Sequence, residues 1–156
     1  MKGAEKVARL SVLDRLMLGG QPVPRTVSES TAAVKEAVMR DIEWLLNTRQ
    51  TSQPAPTELT ELCNSVYNYG LPDISSMSGD SDVARRELLR HVEECIARFE
   101  PRLTAVRVSE PEGGRQSRQV RFNIEALLRM DMDAEPIYFH TVLDPVSGRF
   151  NVPKAV

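Results

Sequence analysis

A single proline, Pro101, divides the chain into two regimes of hydrophobic spacing. Before it, apolar residues recur every three or four positions, as on one side of a helix. After it they alternate, as on one face of a strand. Helices first and strands after predict an α+β fold, with N-terminal helices packed on a small C-terminal antiparallel β-sheet. At 156 residues the chain is long enough for one such core.

The helical half has its own punctuation. Leu10 to Leu18 reads as a short amphipathic helix with Leu10, Leu13, Leu16 and Met17 on one side. Gly19-Gly20 stops it, and Gln21-Pro22-Val23-Pro24 forces extended backbone. Residues 1–27 therefore form an arm, and residues 28–156 a single α+β domain. Ser28 caps a helix to Thr48, with Glu29 in its positive first turn. Val34, Ala37, Val38, Ile42, Leu45 and Leu46 make its apolar stripe, and Trp44 lies off centre, at a boundary or a partner surface. Thr57 to Tyr67 makes a short helix capped by Thr57, broken at Asn68-Tyr69-Gly70-Leu71-Pro72-Asp73. Asp82 to Phe99, capped near Ser81, is the third main helix.

Beyond Pro101, Val106 and Val108 form one strand, and Val120, Phe122 and Ile124 a second, joined through Glu112-Gly113-Gly114. Leu127 to Met132 reads either as a helical turn or as the tail of that second strand. Ile137, Phe139, Thr141 and Leu143 make a third strand, and Phe150 with Val152 a short last one.

One junction breaks a local rule. Glu100 stands at a helix C-terminus, where the macrodipole favours a cation. Pro101 drives it out of the helix, and Arg102 follows at once. Such conflicts mark specially supported or functional sites. Phe99-Glu100-Pro101-Arg102-Leu103 resembles the Glu-Pro-Arg signature of the gene 25-like lysozyme family. That family is named after a tailed-phage baseplate wedge protein, and its TssE-like members belong to type VI secretion. Ser11-Val12-Leu13-Asp14-Arg15-Leu16, the run Arg40 to Arg49 and the run Ser65 to Asp73 fit in order, as does Leu143-Asp144 with Gly148 in a closing hairpin.

The resemblance implies a structural part of a type VI secretion baseplate that joins the wedge to the contractile sheath and helps start sheath polymerisation. The partners it implies are TssF, TssG and TssK in the baseplate and TssB and TssC in the sheath. A small sheet with an open edge suits this, because unpaired N–H and C=O groups accept a strand from another chain. Partner contacts are expected at Glu100, Pro101, Arg102, Trp44, Arg118 and Arg121.

The alternatives rest on less. Glycoside hydrolysis needs two carboxyl groups across a cleft, and Glu87, Glu93, Glu94 and Glu100 qualify by type only. An anti-adaptor-like regulatory binder would share the fold. Glu87, His91 and Cys95 fall at i, i+4 and i+8, one thiol short of a structural zinc set unless Cys63 joins, and a semi-buried cysteine beside a surface histidine explains them as well. His140 reads as structural or exposed. No catalytic, cofactor-binding or metal-ligating residue is therefore assigned. The twenty basic against 22 acidic side chains leave a net charge of -2, which excludes a wholly basic nucleic-acid binder. Arg107, Arg115, Arg118, Arg121 and Arg129 nonetheless concentrate positive charge around the hairpin, where an acidic protein suits them better than nucleic acid. Two cysteines give no disulfide framework, and no block of sequence reads as a signal peptide or a membrane span. The expected place is the cytoplasm, at the cytoplasmic face of the inner membrane, with no direct membrane insertion.

Overall fold

Four helices precede a four-stranded antiparallel meander in the computed structural model, which describes residues 11–17, 26–73, 82–111, 120–130, 134–144 and 149–152. The helices are α1 (Val12–Met17), α2 (Val27–Asn47), α3 (Thr60–Cys63) and α4 (Asp82–Phe99). The strands β1 (Leu103–Ser109), β2 (Val120–Arg129), β3 (Ala134–Asp144) and β4 (Arg149–Asn151) lie side by side in chain order. The fold is the α+β arrangement that the change of period predicts.

The helix α2 starts two residues earlier than Ser28 suggests. Thr26 is the cap: its Oγ1 accepts from the Glu29 N–H at 3.2 Å, and Glu29 Oε2 accepts from the Thr26 N–H at 3.4 Å. This reciprocal box needs a hydroxyl three residues before a glutamate, and only Thr26 has that offset. The helix expected from Thr57 to Tyr67 is also corrected. It splits into α3 and a 3-10 turn (Val66–Asn68), because Ser65 Oγ accepts from the Tyr67 N–H and starts the second piece afresh. The open choice at Leu127 resolves as strand, since β2 pairs with β3 out to Arg129. Ser81, the Glu112–Gly114 turn, Arg115 and Arg118 lie outside the described residues.

The core lies between α2 and α4 and one face of the sheet. Ile42, Leu45 and Val38 of α2 and Val92 and Ile96 of α4 are closed off against Phe122, Ile124, Leu128, Ile137 and Phe139. The rings of Phe122 and Phe150 meet edge to face at 5.7 Å. Alternate strand residues face solvent, as a sheet covered on one side requires.

Two local features carry strain. The register of β1 on β2 slips between Thr104 and Arg107, and Ala105 there has φ 51°, a left-handed conformation that glycine adopts more cheaply. Thr141 is 1% exposed on the inner face, and its Oγ1 has no hydrogen-bond partner. Thr141→Val keeps the shape and removes the orphaned hydroxyl. It should raise stability by about 1 kcal/mol, which thermal unfolding would register as a melting temperature higher by roughly 2–4 °C. A lower melting temperature would mean that the hydroxyl has a use.

Candidate functional site

The helix–strand corner is held by a chain of ion pairs. Glu100 donates its N–H to Ile96 O at 2.9 Å, the last bond of the helical ladder, and the chain then turns into β1 with Leu103 N–H on Glu100 O at 3.0 Å. The turn folds Arg102 back over Glu100. Arg102 Nε donates to Glu100 Oε1 at 2.6 Å, its Nη2 reaches Glu100 Oε2, and its backbone N–H reaches Oε1. The same Nη2 donates to Asp41 Oδ2 of α2 at 2.6 Å. Asp41 Oδ1 takes Arg40 Nη2 at 3.0 Å, and Arg40 Nη1 reaches Asp14 Oδ1 of α1 at 2.7 Å. Five charges thus run in alternating sign from α1 through α2 to the corner.

Burial makes this chain structural. Glu100 is 4% exposed, and a carboxylate so placed needs a hydrogen-bonded cation. The two-pronged contact with Glu100 holds the Arg102 guanidinium protonated beyond its ordinary range, with Asp41 adding to this and burial opposing it. Burial also works against the charge on Arg40, but Asp14 and Asp41 outweigh it and raise its pKa. The Arg40 guanidinium lies 5.1 Å from the centre of the Trp44 ring, so the half-exposed indole covers one side of the network.

The helix α1 joins through a polar residue. Asp14 is the buried residue of α1, whereas Val12, Leu13, Leu16 and Met17 are all exposed, so the expected apolar side of this helix turns outward. Burial resists ionisation of Asp14, but the Ser11 hydroxyl and Arg40 overcome it and bring its carboxyl below the usual 3.8. A lowered folded pKa stabilises above the unfolded value and is lost as pH falls through the folded one. Hydrogen exchange at the α1 amides should therefore stay slow down to that value and quicken below it. Asp14→Asn should lose the protection at neutral pH as well. Unchanged exchange in that variant would show that α1 is held by something else.

The segment Ser65 to Asp73 supports the corner from behind. Tyr69 packs edge to face on Phe99 at 5.3 Å. Gly70, at φ 103°, lets Leu71 bridge to the end of α2, with Leu71 N–H on Thr48 O at 2.9 Å and Gln50 N–H on Leu71 O at 2.8 Å. Asn68, buried, accepts the Ala55 N–H on its Oδ1 at 3.1 Å. Cys95 donates its thiol to Gly70 O at 3.3 Å, and burial pushes its pKa up to about 12. His91 Nδ1 lies 2.8 Å from the Glu87 carbonyl oxygen instead. Glu87, His91 and Cys95 are therefore not gathered on one point, and no cluster of three metal-ligating side chains forms among the described residues.

The borders of the sheet differ sharply. At β1, Val108 gives its N–H to Glu93 Oε2 of α4 at 2.9 Å. At β4, the Asn47 side chain imitates a strand: Oδ1 accepts from the Phe150 N–H and Nδ2 donates to Phe150 O, both at 2.9 Å. Phe150 thus turns its backbone groups away from β3, so its pair with Leu143 is the kind without ladder bonds. Alternation along β3 then aims Val142, His140, Tyr138 and Pro136 toward the β4 side. Val142 meets Asn151, where β4 ends. Tyr138 and His140 keep an outward N–H and C=O, and Pro136 an outward C=O. Among the described residues nothing meets them.

The expected site residues are therefore not one patch. Glu100 is internal, Arg102 half-buried and Pro101 exposed, while Trp44 stands at the other end of the ion chain. Arg121 is exposed on the face of the sheet away from the helices. Glu93 and Asn47, which bond outward backbone groups of β1 and β4, carry no sequence signal beyond being polar residues on helices.

A family model described as baseplate wedge protein gp25 matches residues 32–133, which span most of α2, the corner and the first two strands. No curated protein matches the chain.

Proposed function

Since this chain belongs to the baseplate wedge protein gp25 family, and so is a structural baseplate protein, we propose that it joins the wedge to a contractile sheath and seeds sheath assembly through the outer edge of β3. The observation that carries this reading is the backbone at Pro136 to His140, which meets no partner among the described residues, beside a β4 border that Asn47 occupies and a β1 border where Glu93 takes the Val108 N–H. That stretch is an address for a foreign strand, and main-chain bonds there would fix its register. The partners on this reading are TssF, TssG and TssK on the wedge side and TssB and TssC on the sheath side. The site of action is the cytoplasmic face of the inner membrane. No helix among the described residues is long and apolar enough to cross a membrane.

Glu100 and Arg102 serve by setting the corner's shape from within, while Pro101, Trp44 and Arg121 offer surface to neighbours, and Arg118, outside the described residues, is a further contact on this reading. The ion pair on Glu100 supports a scaffold over a cell-wall hydrolase, because a general acid needs a free, protonated carboxyl group.

His140→Pro tests the edge. It removes an N–H that the fold does not use and sets a ring where an incoming strand would lie. His140→Ala keeps the edge intact. The proline variant should fold and melt like the alanine variant but leave cells without sheaths, as seen by imaging a tagged sheath subunit. Normal sheaths with a folded His140→Pro protein would overturn the proposal.

A further inference from the structure

The helix-free face of the sheet carries charge that neither the core nor the edge employs. Register places Arg107 opposite Glu125, Glu125 opposite Tyr138, Leu127 opposite Pro136 and Arg121 opposite Val142. Arg107, Arg121 and Arg129 are exposed, and among the described residues none has a carboxylate within ion-pair distance. Arg40, Arg49, Arg85, Arg90 and Arg102 all do. On a chain of net charge -2, this face is therefore basic, with Glu125 as its internal counter-charge. Between the arginines runs an apolar seam, with Leu127 38% and Tyr138 57% exposed beside Pro136.

We infer that this face docks an acidic segment of another protein, with its carboxylates on the three guanidinium groups and its apolar side chains on the Leu127–Pro136–Tyr138 seam. Charge complementarity selects an acidic occupant, and the seam selects polypeptide. Arginine and tyrosine around an apolar centre are the composition of protein interfaces. A nucleic acid would meet Glu125 in the middle of the patch and find, among the described residues of this face, only Tyr138 and His140 as rings to stack on. Planar guanidinium groups match carboxylates two-pronged, which gives geometry as well as attraction. The site is distinct from the β3 edge, since it uses side chains on the helix-free face of β1, β2 and β3 and no free backbone group.

Fluorescence anisotropy of the whole protein with a labelled peptide of alternating glutamate and tyrosine tests this. Binding should saturate, weaken as salt rises, and fall by about tenfold or more in the triple variant Arg107→Gln, Arg121→Gln, Arg129→Gln. All three side chains are exposed, so the melting temperature should not move, and His140→Pro should bind the peptide as the parent does. No binding, undiminished binding by the triple variant, or tighter binding of a single-stranded oligonucleotide of equal charge would each overturn the inference. Equal binding of a lysine–tyrosine peptide would do so too, by removing charge as the cause.

Discussion

Replacing Arg102 with methionine should lower the melting temperature by roughly 6–12 °C, out of proportion to an exchange that keeps much of the side chain's volume. The change leaves Glu100, 4% exposed, and Asp41 without the guanidinium that bridges them. Removing one partner of a buried pair costs about 3–5 kcal/mol, whereas an exposed pair contributes about 0–1. Arg102 keeps 30% of its side-chain surface, so the lower end, about 3 kcal/mol, is the better expectation. Glu100→Gln should cost less, because an amide oxygen still accepts from Arg102. The charge swap Glu100→Arg with Arg102→Glu gives the sharper answer. If the two residues paired only with each other, the swap would restore the contact. Here it sets a carboxylate beside Asp41 and a guanidinium in the pocket of Glu100, so circular dichroism should show a protein at least as unstable as Arg102→Met. A swapped protein that melts like the parent would refute an internal role.

Gly70→Ala should cost a comparable amount for a different reason. A Cβ on Gly70 would lie 2.3 Å from the Thr48 carbonyl oxygen, and φ 103° is itself unfavourable for any L side chain. The obstacle is backbone, which cannot rotate aside. That carbonyl also accepts the Leu71 N–H, so relief of the clash breaks the bridge between the Ser65–Asp73 segment and the end of α2. Backbone strain of about 1–3 kcal/mol and a lost hydrogen bond of about 1 kcal/mol add to roughly 3 kcal/mol. Thermal unfolding should show a loss of roughly 6–12 °C. Cys95 should become more reactive toward thiol reagents as its carbonyl partner moves. A variant with the parent's melting temperature would mean that the segment can shift without cost.

These two variants separate what local pattern reveals from what it hides. The conflict at Glu100 was visible in the sequence, because helix dipole, proline geometry and charge disagree over three consecutive residues. Its resolution was not, because Asp41 lies 61 positions from Arg102 and nothing in either neighbourhood names the other. The stripe of α2 and the alternation of β3 were legible, since period alone assigns a buried face. The orientation of α1 was not. Its apolar residues predict one buried side, yet Asp14 turns inward because Arg40 offers a partner and six residues are too few to dictate their own docking.

The amino-acid order by itself settled the class of fold and the place where helix yields to strand. Each follows from the dihedral and hydrogen-bonding limits of neighbouring residues. Which backbone groups of β3 meet no partner among the described residues was decided only by the packed molecule. Glu93 and Asn47 bond the backbone of β1 and β4 from helices 15 and 103 positions away, and a contact of that kind exists only once the core has brought the elements together.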